Sequence, residues 1–391
     1  MSRTQPASTA APGPVRHRTA IADRVPVGRR MLFSDPRRAT LTVLGVAASL
    51  LLILVLDGIF AGAVNQVTYY IRTSPADVFV SQAGVRTMHM SASTIPPDTA
   101  ARVAAVPGVR WAAAIGFASG SIAGPDGRML SYLIGYDTRS GRGGPTKLTA
   151  GRAPRAGEAV LDRQAADQLG VRLGDLFTAM GTPVRAVGLS TGGSSITNTT
   201  VFVDLAQFTS MHQAARSYVL VATDRATSTG AVAERLRQRI PGVTVQTKAE
   251  FATSEARIVT DMSADLLRLM STIGLLIALA IIALGLMTAT LSRLRDFAVL
   301  KALGARTRRL ASAVAMQVVL TVGLAAIVAA TAATGLAVLV PLAVPQVQIV
   351  VTPGAIAQTT LLALVGGLIA AVWPLRRIAR VDAATAFRET R

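Results

Sequence analysis

The sequence contains no cysteine and only three histidines, His17, His89 and His212. The lack of cysteine excludes disulfide bonds, thiolate metal sites and thiol redox chemistry. The histidines are scattered and match no metal-ligand spacing such as H-E-x-x-H, so surface or structurally satisfied histidines are the preferred interpretation. We therefore expect no metal site in this chain.

Lysine is equally scarce, with Lys147, Lys248 and Lys301 as the only three. A P-loop requires G-x-x-x-x-G-K-[ST], because backbone amides, a lysine and a hydroxyl must meet at one phosphate group. No lysine here follows a glycine or precedes a serine or threonine. The serine-nucleophile motif G-x-S-x-G is absent as well. We expect the chain to be no enzyme and to bind no cofactor, so any ATP must be used by another protein.

Charged residues are missing from three long stretches: Ala39–Leu56, Leu269–Ser292 and the residues between Arg309 and Arg376. A membrane-spanning helix needs roughly 20 apolar residues, so each of the first two stretches predicts one crossing. The third stretch is interrupted by three prolines and therefore predicts two crossings. The spans are expected near residues 39–62, 268–291, 311–340 and 355–374.

The positive charge is concentrated beside these stretches. Of the net charge of +19, residues 1–38 supply eight arginines against two aspartates, and residues 293–309 supply six Lys or Arg against one Asp. The positive-inside rule places both termini and the loop 292–310 in the cytoplasm, with residues 63–267 and 341–354 outside. A high pI can also indicate nucleic-acid binding, but this distribution favours a membrane protein, and no nucleic-acid partner is expected.

Features of the first span leave alternatives open. Ala61–Ala63 resembles a signal-peptidase site, but about 38 residues precede the span, so an uncleaved signal-anchor is preferred. Asp57 is either a functional intramembrane acid or, as we prefer, a solvated residue at the outer end of the span. Gly58 and Gly62 form a small-xxx-small pair that would let another helix approach.

Residues 64–250 are expected to form an extracytoplasmic α+β domain. Its parts at about 70–119 and 216–248 share one order of strand, helix, Pro-Gly and strand, and ARVAAVPGVRWA can be aligned with ERLRQRIPGVTVQ. This repetition predicts two βαβ units packed together, interrupted by a strand-rich insert at about 120–215. Within the insert, Ser190–Thr200 is interpreted as a flexible turn between strands, with a binding loop as the alternative.

The predicted fold class is a membrane protein with four transmembrane α-helices and a large α+β extracytoplasmic domain inserted between the first and second spans. From Ala249 a helical pattern continues into the second span, so residues 251–291 are expected to form a rigid stalk and the second transmembrane helix. The remaining segments are a disordered cytoplasmic tail (1–30), an interfacial lead-in with the first span (31–63), a cytoplasmic coupling loop (292–310), the third and fourth spans (311–375) and a cytoplasmic tail (376–391).

The cytoplasmic segments resemble those of MacB/FtsX-type ABC transporter permeases. Arg295–Ala305 reads RDFAVLKALGA and is similar to the family's R-E-F-A-V-L-R-A-L-G-A, with Asp296 and Lys301 in place of Glu and Arg. The tail from Pro374 is similar to the family's closing P-x-R-R-A-A-R-x-D-P-A, with Ala383 in place of the proline.

The outer segment carries a third group of similar residues. Gly151-Arg152, Gly157–Leu161, Leu169–Val171 and Gly174-Asp175 resemble the strand-rich half of the family's extracytoplasmic domain. The match is ordered from about residue 30 to the end. With the four-span layout, the chain is identified as a member of this family and is most similar to its DevC-like exporters.

The resemblance implies a permease that acts as a dimer beside a separate ABC ATPase of the MacB/LolD type. It implies a coupling helix that docks on this ATPase, formed by Arg295, Asp296, Phe297, Ala298, Val299, Leu300, Lys301, Ala302, Leu303, Gly304 and Ala305. Neighbouring arginines are expected to anchor the chain to membrane lipid: Arg293, Arg306, Arg308, Arg309, Arg376, Arg377 and Arg380.

The resemblance further implies mechanotransmission, in which ATP-driven movement inside the cell moves the outer domain. The expected role is export or extraction of a lipid, lipoprotein, peptide or drug, with an extracytoplasmic adaptor as a further partner, in the plasma or inner membrane. The alternative is an FtsX-like signal transducer that regulates a cell-wall hydrolase, although such proteins usually have a smaller outer domain. A plain membrane anchor would leave the docking motif unexplained.

Overall fold

The computed structural model describes residues 36–194, 198–212, 216–291, 307–344, 346–373 and 375–376. The elements follow one another as α1 (Pro36–Thr73), β1 (Val78–Gln82), α2 (Thr99–Ala104), β2 (Val109–Gly124), β3 (Gly127–Tyr136), β4 (Leu148–Gly151), β5 (Glu158–Asp162), α3 (Arg163–Leu169), β6 (Leu176–Ala179), β7 (Thr182–Ser190), β8 (Asn198–Asp204), α4 (Leu205–His212), β9 (Tyr218–Thr223), α5 (Thr229–Arg239), β10 (Val243–Thr247), α6 (Lys248–Leu291), α7 (Thr307–Ala343) and α8 (Pro353–Ala370).

The chain divides into two compact units. One comprises Met1–Val46, Leu279–Ala325 and Ala363–Arg391, and the other comprises Ala47–Ala278 and Ala326–Leu362. Within the described residues, four helical segments are long and apolar enough to cross a membrane: Pro36–Thr73, Arg268–Ala289, Ala311–Ala343 and Pro353–Ala370. The first and second of these belong to α1 and α6, which enclose the whole β-sheet region between them in sequence.

Half of the sheet contains the two strand–helix–strand segments from which the sequence predicts a pair of βαβ units. Its strand order is β10-β1-β9-β2, and all three neighbouring pairs are antiparallel. Each unit is therefore split: β9 lies between β1 and β2, while β1 lies between β9 and β10. This is the split βαβ arrangement of ferredoxin-like folds. The central strand β9 is buried at every position, because both of its faces are covered.

The two faces of these strands have different partners. On one face, Val219 and Val221 of β9 pack in a cluster with Val103 of α2 and Leu236 of α5. On the other face, Tyr218 and Leu220 share a cluster with Ile71 of α1 and Phe251 of α6. The period-two alternation of a strand sends successive side chains to opposite faces. The same strand therefore holds the domain's own helices on one face and the two long helices on the other.

The other half of the sheet closes on itself. Pairings run from β2 to β3, β8, β5, β7 and β6 and return to β2, while β4 adds to β7. Strand β2 belongs to both halves, since Val109–Ile115 pairs with β9 and Gly116–Gly124 pairs with β3. The division expected near residue 120 therefore falls inside a continuous strand, because one long strand hydrogen-bonds with both neighbours in turn.

One helix of this region was absent from the sequence interpretation. Helix α4 buries Phe208 completely. Its ring packs against Gly116 and Gly135, where an added Cβ would lie 2.2 and 2.3 Å from Phe208 atoms. These two glycines face each other on β2 and β3. They make room for the ring, which fills the core of the closed strands.

An ion pair joins two of the segments that resemble the family's extracytoplasmic domain, Gly151-Arg152 and Gly157–Leu161. The Arg152 guanidinium donates two hydrogen bonds of 2.6 Å to the carboxylate of Glu158. These two hydrogen bonds lower the pKa of Glu158 to about 2, and the hydrogen bond from the backbone N–H of Arg155 makes a smaller contribution in the same direction. Helix α3 ends at Gly170, whose left-handed φ of 65° is readily adopted by glycine.

The first helix is longer than its predicted span and has a different neighbour from the one expected. It continues from Pro36 to Thr73, so Asp57 lies within a helix that extends well past it and is partly buried. Gly58 and Gly62 accommodate an extended segment and not another helix. The Gly58 carbonyl accepts a hydrogen bond from Val350 N (2.9 Å), and a Cβ on Gly62 would lie 1.9 Å from the Gln348 carbonyl oxygen. The segment between α7 and α8 is thus seated on α1.

We predict that Gly62→Ala destabilises the protein by about 1–3 kcal/mol, because the methyl group overlaps a backbone carbonyl that cannot rotate away. Gly335→Ala is the matched control in α7, since an added Cβ there meets nothing within 4 Å. Thermal unfolding at fixed detergent and heating rate compares the two variants with the native chain. Equal midpoints for Gly62→Ala and Gly335→Ala would contradict this packing.

Candidate functional site

The long helix α6 is fastened to the outer domain where it begins. Its first backbone N–H, at Lys248, donates to the Asp77 carbonyl (2.8 Å) just before β1. The Lys248 ammonium donates to the Ser74 carbonyl (2.8 Å) at the end of α1. One lysine therefore joins the start of α6, the end of α1 and the approach to β1. We call the residues where α1, α6 and the sheet meet the junction, comprising 66–90 and 248–259.

Phe251 carries the apolar part of the junction. It is 1% exposed, and its ring stacks on Phe79 of β1 with centroids 4.9 Å apart. Burying a phenylalanine stabilises a fold by about 1.5–3 kcal/mol, and an aromatic pair adds about 0.5–1.5 kcal/mol. The base of α6 is therefore part of the domain core.

Glu255, one turn after Phe251, carries the polar part. Its side chain is 0% exposed. Its carboxylate accepts hydrogen bonds from the backbone N–H of Met88 (2.6 Å) and of His89 (3.2 Å), and Nδ1 of His89 lies 2.6 Å from Oε1. A buried carboxylate is tolerated only when it is paired in this way. The three contacts hold the loop after β1 against α6.

Sequence reasoning gave Glu255 no role. The stalk charges Arg257, Asp261 and Asp265 are exposed, whereas Glu255 is buried. The available signal was the i, i+4 spacing of Phe251 and Glu255, which puts both on one helix face. His89 was expected to be structurally satisfied, and its contacts with Glu255 and the Tyr132 ring, 4.5 Å between centroids, agree.

The junction borders a cavity of about 210 Å³. Tyr69 and Tyr70 of α1 line it on one side, and Ile258 and Val259 of α6 line it on another. Tyr132 of β3 lies beside Glu255. Burial raises the pKa of Tyr132, and the charge of Glu255 raises it further, so the phenol keeps its proton at neutral pH. The cavity wall thus combines aromatic, aliphatic and hydroxyl groups.

The described part of Ser190–Thr200 forms another wall of this cavity. Asp162, 1% exposed, accepts hydrogen bonds from Gly193 N (2.8 Å) and from the Ser194 hydroxyl (2.7 Å). A Cβ on Gly192 would lie 2.2 Å from the ring of Tyr69 and would need an unfavourable φ of +87°. The described residues of this turn are therefore held in place by Asp162 and line the cavity, as a binding loop would.

Most of the residues predicted to dock on the ATPase or to anchor the chain to lipid lie outside the described residues. The coupling segment Arg295–Ala305 lies outside the described residues, as do Arg293, Arg306, Arg377, Arg380 and the side chain of Arg309. Arg308 and Arg376 are described and exposed. Within the described ranges, no group of three or more His, Cys, Asp or Glu side chains could hold a metal ion.

Comparison with known proteins gives two family matches that follow one another along the chain. The family described as MacB-like periplasmic core domain matches residues 39–239, more than half of the chain. The family described as FtsX-like permease C-terminal matches residues 268–383. The chain therefore belongs to the MacB/FtsX-type ABC transporter permeases, multi-pass proteins of the cell membrane with a large extracytoplasmic domain.

Named relatives come from mycobacteria. An uncharacterized ABC transporter permease of Mycobacterium tuberculosis H37Rv is 26% identical over 351 residues, which cover 90% of this chain and 95% of the relative. One from Mycobacterium bovis is 26% identical over 354 residues with the same shares. The solved periplasmic region of MacB from Actinobacillus actinomycetemcomitans is 12% identical with a TM-score of 0.37, covering 47% of this chain and 94% of that one.

We predict that Glu255→Ala lowers the free energy of unfolding of the outer domain by about 3–5 kcal/mol, because it leaves a partly buried histidine and two backbone N–H groups without their acceptor. Hydrogen–deuterium exchange should rise in residues 87–93, and the thermal midpoint should fall. Glu234→Ala is the control, since its pair with Arg237 is exposed (56% and 39%) and is worth about 0–1 kcal/mol. Similar effects of both substitutions would refute the role of Glu255.

Proposed function

We propose that this chain is the force-transmitting membrane subunit of its ABC transporter. A separate ATPase of the MacB/LolD type would hydrolyse ATP in the cytoplasm, and the chain itself would hold no nucleotide. Movement of the ATPase would reach the outer domain through α1 and α6. The single observation that carries this proposal is the continuity of α6, an unbroken helix of 44 residues from Lys248 to Leu291.

Continuity matters because a helix transmits displacement only while its hydrogen-bond ladder is unbroken. At 1.5 Å per residue, α6 is about 66 Å long. Its outer end is buried in the domain core through Phe251 and Glu255. Below them, Gly274 lets α6 approach Ile53 of α1, where an added Cβ would lie 2.9 Å from Cγ1. This close packing supports joint movement of the two helices.

The remaining parts of the proposal concern topology and partners. Both termini and the loop 292–310 would be cytoplasmic, because the excess of arginine lies there. Arg295–Ala305 would be the coupling helix on the ATPase, and the flanking arginines would contact lipid. Two permease subunits would act together, with an extracytoplasmic adaptor as a further partner. The cargo would be a lipid, lipoprotein, peptide or drug that is exported or extracted from the membrane.

We predict that Phe297→Asp and Leu300→Asp abolish co-purification with the ATPase encoded beside this chain and the ATP turnover of the complex. An aspartate would have to be desolvated without a partner in the docking groove. Leu173→Asp is the matched control, since Leu173 is 44% exposed on the outer domain and undergoes the same chemical change. If the complex and its ATP turnover survive both docking substitutions, the assignment of the coupling helix is wrong.

We further predict that a less stable helix in the stalk uncouples the movement of the outer domain from ATP in the partner ATPase. The exposed stalk residues Arg257, Asp261 and Asp265 are replaced together by glycine in one variant and by alanine in another. Each glycine costs a helix about 0.8–1.0 kcal/mol relative to alanine, while both variants remove the same charges.

The measurement is hydrogen–deuterium exchange of the outer domain, with and without ATP trapped in the partner. Native and triple-alanine chains should show an ATP-dependent change, and the triple-glycine chain should lose it while still hydrolysing ATP. An undiminished change in the triple-glycine chain would argue against force transmission through α6.

A further inference from the structure

The junction cavity has a chemical character that the permease assignment does not explain. Among its described lining residues, Glu255 is the one acid and His89 the one basic residue. These two pair with each other, and Glu255 also accepts two backbone hydrogen bonds. No lining charge is therefore left to neutralise an ionic ligand. A charged group placed there would lose hydration without gaining a counter-ion.

The neutral polar groups of the cavity are better suited to a ligand. Ser190, at the end of β7, lines the cavity and is 2% exposed. Its hydroxyl has no hydrogen-bond partner within the part of the chain that the structure describes. A buried hydroxyl without a partner destabilises the fold, because it has given up its hydrogen bonds to water without replacing them. A ligand hydroxyl or carbonyl in the cavity would supply the missing partner.

The other residues that line the cavity indicate the chemistry and the size of the ligand. Tyr69, Tyr70 and Tyr132 offer aromatic faces, and Thr146, Asn198 and Thr200 offer further uncharged hydrogen-bonding groups. A volume of 210 Å³ corresponds to about seven water molecules at ~30 Å³ each. It is below the roughly 300–1,000 Å³ of pockets that take drug-sized ligands. The cavity therefore suits one polar head group and not a whole large molecule.

The position of the cavity connects it with the membrane. Ile258 and Val259 line it from α6, and the apolar part of that helix begins at Arg268. Ten residues of helix correspond to about 15 Å. Met90, also in the lining, is 63% exposed, so the cavity reaches the surface there. A molecule with its head in the cavity could keep an aliphatic chain along the apolar side of α6.

We propose that the junction cavity binds the uncharged, hydroxyl-bearing head group of an amphiphile, with Ser190 as a specificity-determining hydrogen-bond partner. The ligand class is a neutral lipid-like molecule, such as one with a single sugar ring as its head. This inference rests on the proposed function, because it names the class of cargo that the driven outer domain would handle. It does not depend on how the ATPase docks.

The test uses the full chain in lipid nanodiscs and a photoreactive probe, octyl glucoside with a diazirine in its alkyl chain. Two comparison probes carry the same chain with a phosphate or a trimethylammonium head. Mass spectrometry maps labelled peptides, and unlabelled octyl glucoside competes for saturable sites. We expect saturable labelling of peptides containing residues 190–200 or 255–259 by the glucoside probe, at least fivefold above that by either charged probe.

Ser190→Ala separates a ligand-binding role from a structural one. Removing the unpartnered hydroxyl should leave the thermal midpoint of the ligand-free protein unchanged or higher, while the competition midpoint for octyl glucoside rises about three- to tenfold. Thr99→Val is the matched control, because its hydroxyl is also buried without a partner in the described chain but is absent from the cavity wall. It should leave octyl glucoside binding unchanged.

Three results would overturn the inference. They are no saturable labelling of the cavity peptides, equal labelling by a charged probe, and unchanged octyl glucoside competition in Ser190→Ala. The ATP turnover of the complex is measured on the same samples. Normal coupled turnover with any of these three results would reject the amphiphile site and leave the permease mechanism standing. Saturable labelling without coupled turnover would reject the mechanism instead.

Discussion

The buried carboxylate of Glu255 is the interaction on which the outer half of this protein depends. A carboxylate in the domain interior is tolerated only if its oxygens accept hydrogen bonds from the protein. Here all three donors come from the loop after β1. Because Glu255 belongs to α6, the loop, the helix and the aromatic cluster around Tyr132 form one polar and apolar network. Any tilt of α6 must either move this loop with it or expose a charge that has no other partner.

The contacts around Glu255 likewise attach α1 and α6 to each other and to the sheet. Lys248 attaches the end of α1 to the start of α6, and Phe251 fixes α6 to β1. On the membrane side, the segment before α8 lies directly on Gly58 and Gly62 of α1. Each contact joins residues that are close in space but far apart in sequence. The two helices and the sheet can therefore move as one body only while all of these contacts are present. Rigidity of this kind suits a part that passes on a displacement made elsewhere.

Local signals were sufficient for much of the fold. The ends of strand β10 and helix α3 carry local signals, since Pro241-Gly242 precedes β10 and Gly170 follows α3. The split order of the βαβ strands, helix α4 and the cavity were beyond reach. They depend on contacts such as His89 with Glu255, 166 residues apart, and Tyr69 with Thr191, 122 apart. No periodicity in one segment shows which distant loop will supply donors to its buried acid.

The cavity and the helices are linked by the free energy of binding. A ligand shifts a conformational equilibrium only by the difference between its affinities for the two states. A head group in this cavity would touch α1, α6 and the turn after β7 together. Any relative movement of these three walls would change its hydrogen bonds, so its affinity would depend on the position of the stalk. By the same linkage, a movement driven from the cytoplasm would change how tightly the head group is held. Under the proposed mechanism, a site between α1, α6 and the sheet would be placed where work done by ATP becomes a change in affinity for the head group.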